Sequence, residues 1–220
     1  MAEMTFLTLG DIHGSVKWTR ELISAAETVD TVLLCGDLTS FGTPEDVAGI
    51  IEDIARYNTT CYAIAGNCDS LAIDSFLTDQ DIALNGRGRM IGDSIGVCGV
   101  SGSNSTPFRT PLEYTEEELS ESLQAGWQQI LDASIRIVVH HAPPYRTKCD
   151  RTLLGIHTGV RMFRAFCENE QPELVICGHI HEARGTDMIG ETLVVNGGMA
   201  ARGHGTVIEV SNGDLTVSLL

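Results

Sequence analysis

Apolar residues in this chain come in short runs, and several of the runs end in glycine followed by a polar residue. Thr5–Leu9, Thr31–Cys35 and Thr59–Ala65 have this form and are too short for helices, so they are expected as buried strands. The stretches between them open with helix-start signals. Ser15 is placed as an N-cap for a helix through about Thr28. Pro44, with Glu45 and Asp46 in the first turn, opens a second helix through about Tyr57. Strand–helix alternation of this kind argues for an α/β layer.

The middle of the chain is less regular. Asp81–Leu84, Arg89–Ile91 and Ile95–Val100 are short apolar pieces divided by Gly-rich turns, which suits antiparallel strands. Ser101 to Pro111 reads as a long loop whose Pro and Gly content rules out regular structure, and loops of that length are often functional. Thr115 and Glu118 form a capping box for a helix to about Leu131. Ile135–Val139 is a further buried strand, ending in His140-His141-Ala142-Pro143-Pro144. A loop from Tyr145 to His157 precedes a helix from about Thr158 to Glu170, and Glu173–Cys177 is the next strand. Thr192–Val195, closing in Asn196-Gly197-Gly198, Thr206–Val210 and Leu215–Leu220 complete the expected strands. No repeat or linker interrupts the chain, so residues 1–220 are expected as one domain of two packed sheets with helices on the outer faces.

Composition changes this picture little. Apolar residues make up 43% and charged residues 20%, as in ordinary globular proteins. No apolar run is long enough to span a membrane, and no basic region precedes an apolar segment near Met1. The seven cysteines include no C-x-x-C pair, and Cys35, Cys61, Cys98 and Cys177 lie inside apolar runs. Reduced thiols and a cytoplasmic location are therefore expected. A net charge of −16 disfavours nucleic acid and anionic membranes as partners.

The strand ends carry the chemistry. Asp11 and His13, Asp37, Asn67 with Asp69 beside it, His140 and His141, and His179 and His181 all stand just after an expected strand. Ligands of α/β sheets bind beyond the carboxyl ends of the strands. Two imidazoles at i and i+2 on extended backbone point the same way, so Gly178-His179-Ile180-His181 can offer two nitrogens to one cluster. Asp, His and Asn without paired Cys form a ligand set suited to Mn, Fe, Zn, Ni or Co. One carboxylate can bridge two ions about 3.5–4 Å apart, and such a pair can clamp a phosphate and activate a water.

The order Asp11-x-His13, Gly36-Asp37, Gly66-Asn67, a strand-end His and Gly178-His179-x-His181 resembles the signature of the calcineurin-like metallophosphoesterases. The resemblance implies a β-sandwich flanked by helices, in four αββα layers, with two divalent ions at its edge, manganese foremost. It implies that Asp11, His13 and His181 hold the first ion, that Asn67, His141 and His179 hold the second, and that Asp37 bridges both. A water or hydroxide between the ions would attack phosphorus in line. His140 competes with His141, but relatives with His-x-Pro-Pro use the His two places before the first Pro, which is His141 here.

One departure bears on the substrate. The family usually follows Gly-Asn with His and then Asp or Glu, the His serving the leaving group. Here Cys68 stands in that place, with Asp69 after it. A thiol replaces an imidazole badly as a donor. Relatives sharing Gly-Asn-Cys-Asp tend to act on phosphodiesters. The expectation is thus a dinuclear phosphodiesterase with Asp37, Asn67, Cys68 and Asp69 around a small phosphoester, and Arg109 or Arg146 on the phosphate oxygens. The alternatives are a phosphomonoesterase or phosphoprotein phosphatase of the same family, and a catalytically silent scaffold. His157 is a further candidate to face the phosphate. The oligomeric state stays open, a dimer among the options.

Overall fold

The computed structural model describes residues 3–25, 29–57 and 59–220, so the expected helix end near Thr28 lies outside them. The chain begins with β1 (Met4–Leu9), α1 (Val16–Ala25), β2 (Thr31–Cys35), α2 (Pro44–Ala55), β3 (Thr60–Ile64) and α3 (Leu71–Asp79). It continues through β4 (Gly88–Ile91), β5 (Ile95–Val100), β6 (Ser103–Asn104), β7 (Glu113–Tyr114), α4 (Glu116–Trp127), β8 (Ile135–His140) and α5 (Arg161–Glu170). The last strands are β9 (Leu174–Cys177), β10 (Gly185–Ile189), β11 (Thr192–Asn196), β12 (Thr206–Ser211) and β13 (Asp214–Leu219).

The strands form two main sheets, ordered β13-β12-β1-β2-β3 and β10-β11-β9-β8-β5-β4. β1, β2 and β3 run parallel, as do β5, β8, β9 and β11, so both sheets have carboxyl edges made of neighbouring parallel strands. Period-two alternation sorts the side chains into three buried clusters. On β1 and β2, Leu7, Leu9, Val32 and Leu34 meet α1, α2 and α3, while Phe6 and Leu33 face the second sheet. On β8 and β9, Ile137, Val139, Leu174 and Ile176 fill the space between the sheets, and Val138 and Val175 meet Trp127 of α4 and Phe163 of α5. Helix, sheet, sheet and helix therefore stack in four layers, as expected.

Several segments differ from expectation. Asp81–Leu84 is not a strand: it crosses between the sheets, touching β3 through one bridge at Ala63–Ala83, while Asn85 pairs with Gly99 of β5. A segment that spans two sheets cannot extend along either. Ser103–Asn104, inside the expected loop, pairs with Glu113–Tyr114 despite the surrounding Pro and Gly. α5 starts at Arg161 rather than Thr158, because Val160 is held extended by its bridge to Pro144 and its bonds to Pro143 O and Tyr145 N–H. α3, capped by Ser70, and β10 have no clear signal in the sequence.

Candidate metal centre

The loops after β1, β2, β3, β8 and β9 bring the expected ligands to one edge of the sandwich. Two groups of donors converge, Asp11–His13–His181 and Asp11–Asp37–His141. Asp37 reaches both sides: its Oδ1 is 3.4 Å from His141 Nε2 and its Oδ2 is 3.8 Å from His13 Nε2. His181 Nε2 lies 3.0 Å from Asp11 Oδ1 and 3.4 Å from His13 Nε2. His179 belongs to neither group, but its ring centroid is 5.1 Å from that of His141.

Backbone geometry explains how short loops hold so many donors. Asp11, His13, Asp37 and His179 all have φ between 47° and 65°, a left-handed conformation that non-glycine residues rarely adopt. The first two loops are laced together by Asp11 N–H to Gly36 O and His13 N–H to Asp37 O, at 3.0 and 2.9 Å. His179 N–H donates to Asp11 Oδ2, and Gly178 N–H to His141 O. Glycine is required where backbones meet: a Cβ on Gly66 would strike Asp37, and one on Gly36 would come within 2.6 Å of His141 Nδ1.

The β8 pleat separates the two adjacent histidines. His141 continues the face of Ile137 and Val139 toward the centre, and its Nδ1 donates to Cys35 O at 2.9 Å, which leaves Nε2 as the atom facing Asp37. His140 points the other way and packs on Phe163, with ring centroids 4.8 Å apart and neither nitrogen hydrogen-bonded. Burial pushes the His140 imidazole down to about 3. Burial would also lower His141, but Asp37 and Asp11 push it up to about 10. Burial alone would raise Asp37, yet the His141 imidazole and the Cys68 N–H hold it far below the carboxylate range.

The arrangement fits a pair of metal ions. Asn67 Oδ1 and His141 Nε2 are buried without any hydrogen-bond partner, a costly state that a cation relieves. The Nε2 atoms of His13 and His181 face each other, and the two groups gather two carboxylates among three imidazoles, with the His179 ring beside His141.

Residues not expected from the sequence hold the expected ligands in place. Asn67 Nδ2 donates to Thr110 Oγ1 at 2.9 Å, and the Thr110 hydroxyl donates to Glu113 Oε1 at 2.7 Å. This relay holds the Asn67 amide nitrogen and leaves its buried oxygen free for another partner. Burial would raise Glu113, but four donors from Thr106 and Thr110 hold it down to about 2, so the relay persists at neutral pH and fails only as pH falls through that value. Thr110→Val should weaken metal binding roughly tenfold while Thr110→Ser restores it, as metal titrations would show. Asn196 donates to the carbonyls of Gly178 and Ile180, fixing the His-x-His loop. Sequence pattern marks Asn196 only as the close of a strand.

The remaining candidates are placed differently. Cys68 is half-buried, and its N–H donates to Asp37 Oδ1 at 2.8 Å. Burial, and then Asp37, push its thiol up, away from a thiolate. Asp69 does not orient the group at position 68: its oxygens accept from the N–H groups of Gly66, Leu38 and Thr39 and from the Thr39 hydroxyl. It ties the β2 and β3 loops together. His157 Nδ1 is 2.6 Å from buried Asp150, and Arg109 and Arg146 are exposed. Among the described residues no helix is long and apolar enough to cross a membrane.

Comparison with known proteins finds a match to the calcineurin-like phosphoesterase family over residues 4–183. The uncharacterized protein MJ1162 of Methanocaldococcus jannaschii is 34% identical over 197 residues, covering 88% of this chain and 87% of that one. The crystal structure of TT1561 of Thermus thermophilus is similar with a TM-score of 0.77 at 16% identity, covering 99% of each chain. A structure described as a novel archaeal phosphodiesterase matches with a TM-score of 0.56 at 16% identity, covering 99% of this chain and 100% of its own.

Proposed function

The chain belongs to the calcineurin-like phosphoesterase family, and on that premise we propose that it hydrolyses a small phosphodiester at a dinuclear metal centre. The observation that carries this reading is Asp37, whose two oxygens face His141 on one side and His13 on the other. Asp11, His13 and His181 would hold one ion, Asn67, His141 and His179 the second, and Asp37 both. Two divalent ions there would supply Lewis-acid polarisation of the phosphoryl oxygens and an acidified water as nucleophile. Manganese suits the donor set, as do iron, zinc, nickel and cobalt.

The protein's own part is to hold those donors and to receive the ester. The Nδ1–H bond to Cys35 O fixes the His141 tautomer, and Thr110 fixes the Asn67 amide. Arg109, exposed and next to Thr110, would bind the phosphate oxygens. Position 68 favours the diester. A monoester dianion places more charge on its leaving oxygen and gains most from a nearby imidazolium, which Cys68 cannot replace.

Metal-stripped protein refilled with each divalent ion should cleave a diester faster than a monoester that releases the same phenolate. Faster monoester cleavage would make the protein a phosphomonoesterase, and no cleavage of either would leave a silent scaffold. Cys68→Ser should keep diester turnover within about tenfold of the parent, less than the ~10²–10⁴-fold contribution of a general acid. A larger loss would point to a catalytic thiol.

A further inference from the structure

The few bases of this chain are unevenly placed. Against 30 acids there are 14 Lys and Arg residues, and three arginines line one hollow of about 500 Å³ with Tyr145, Ala165 and Glu168. Arg161, Arg164, Ala165 and Glu168 stand at i, i+3, i+4 and i+7 of α5, which is one stripe of a helix. Tyr145 and Arg146 come from the loop after β8, joined to His141 through Pro143 and Pro144.

The three guanidinium groups are not equivalent. Arg164 is satisfied: its Nε donates to Glu168 at 2.7 Å and a terminal nitrogen to Arg146 O at 3.2 Å. Arg161 Cζ sits 4.0 Å from the Tyr145 ring centroid and Arg146 Cζ 5.5 Å from it. Among the described residues neither has a carboxylate in ion-pair contact. The neighbouring acid, Glu116, accepts from the N–H groups of Arg161 and Met162 instead. Arg146 is held at φ 58° by its N–H bond to Asp150 Oδ2. Two like charges are thus kept around one ring whose π face offsets only part of their repulsion. The carboxylate that lines the hollow, Glu168, serves Arg164, so Arg146 and Arg161 face it without an anion.

We propose that this hollow binds a phosphate group, using the Arg146 and Arg161 guanidinium forks, whose planar donors match phosphate oxygens in pairs. The source is a second phosphate on the substrate or the phosphate of a separate ligand. Arg146 is five residues beyond His141, so the chain limits their separation to about 18 Å, a span that an extended dinucleotide-like diester can bridge. The first source rests on the phosphodiesterase reading; the second does not.

The test uses manganese-loaded protein, its Arg161→Gln variant and two nitrophenyl nucleoside diesters, one bearing an extra phosphate on the other ribose hydroxyl. The extra phosphate should lower KM about tenfold in the parent, and that ratio should fall to about one in the variant. Calorimetric titration with inorganic sulfate, which needs no turnover, should count one more bound anion in the parent than in Arg161→Gln. An anion difference without a KM difference assigns the hollow to a separate phosphorylated ligand. Equal anion counts together with an unchanged KM ratio overturn the proposal. Failure of both diesters to react would count against the proposed activity alone, since the sulfate titration remains readable.

Discussion

His141→Ala should abolish nearly all phosphoester turnover and empty part of the metal centre, whereas His140→Leu should keep turnover within about threefold, since a group outside the ligand set that still mattered would cost ~10–100-fold. The two residues are adjacent, yet the strand pleat sends them to opposite faces. His141 offers a buried Nε2 with no hydrogen-bond partner, 3.4 Å from Asp37, and its other nitrogen is anchored on Cys35 O. Alanine there removes a donor and leaves Asp37 facing a void. His140 lies against Phe163 with both nitrogens unpaired, so leucine fills similar space without a buried polar ring. Metal analysis and diester kinetics on the two purified variants separate them. The reverse ranking would place the ligand at His140.

Asp69→Ala is expected to be the other severe change, through folding of the site rather than through chemistry. Its fully buried carboxylate accepts from three backbone N–H groups and one hydroxyl on two separate loops. Removing it strands those donors, at about 1–3 kcal/mol for each buried group left unpaired. A loss of about 3 kcal/mol corresponds to a fall in Tm of roughly 6–12 °C for a chain of this size. The loops that lose their tie carry Asp37 and Asn67, so metal affinity should fall with stability. Thermal melts and metal titrations on Asp69→Ala check both. An unchanged Tm with lost turnover would instead make Asp69 a catalytic group.

Much of this is legible in the chain because strand ends and chemistry coincide. Short apolar runs closed by glycine mark the buried strands, whose side chains alternate with period two, and the glycines at positions 36, 66 and 178 stand where backbone and donor atoms crowd together. The same alternation sets His140 and His141 on opposite faces of β8. What cannot be read depends on contacts distant in sequence. Thr110 and Glu113 meet Asn67 across more than 40 residues, their loop brought back to it by the pairing of β6 with β7 and by the Leu112 N–H bond to Asn67 O. Asn196 looks like a turn residue until the sheet sets its amide under the His-x-His loop. Adjacency suggests that Asp69 serves position 68, but its carboxylate turns inward because three loop N–H groups need an acceptor. Asp81–Leu84 has the composition of a strand and is spent crossing between sheets.

Whether the donors around Asp37 hold two ions at once is the question on which the rest turns. Mass-spectrometric metal analysis of protein stripped with chelator, refilled with Mn²⁺ and freed of excess ion measures this directly. About two ions per chain are expected, as a carboxylate-bridged clamp requires. One ion per chain at saturating metal would contradict the dinuclear centre.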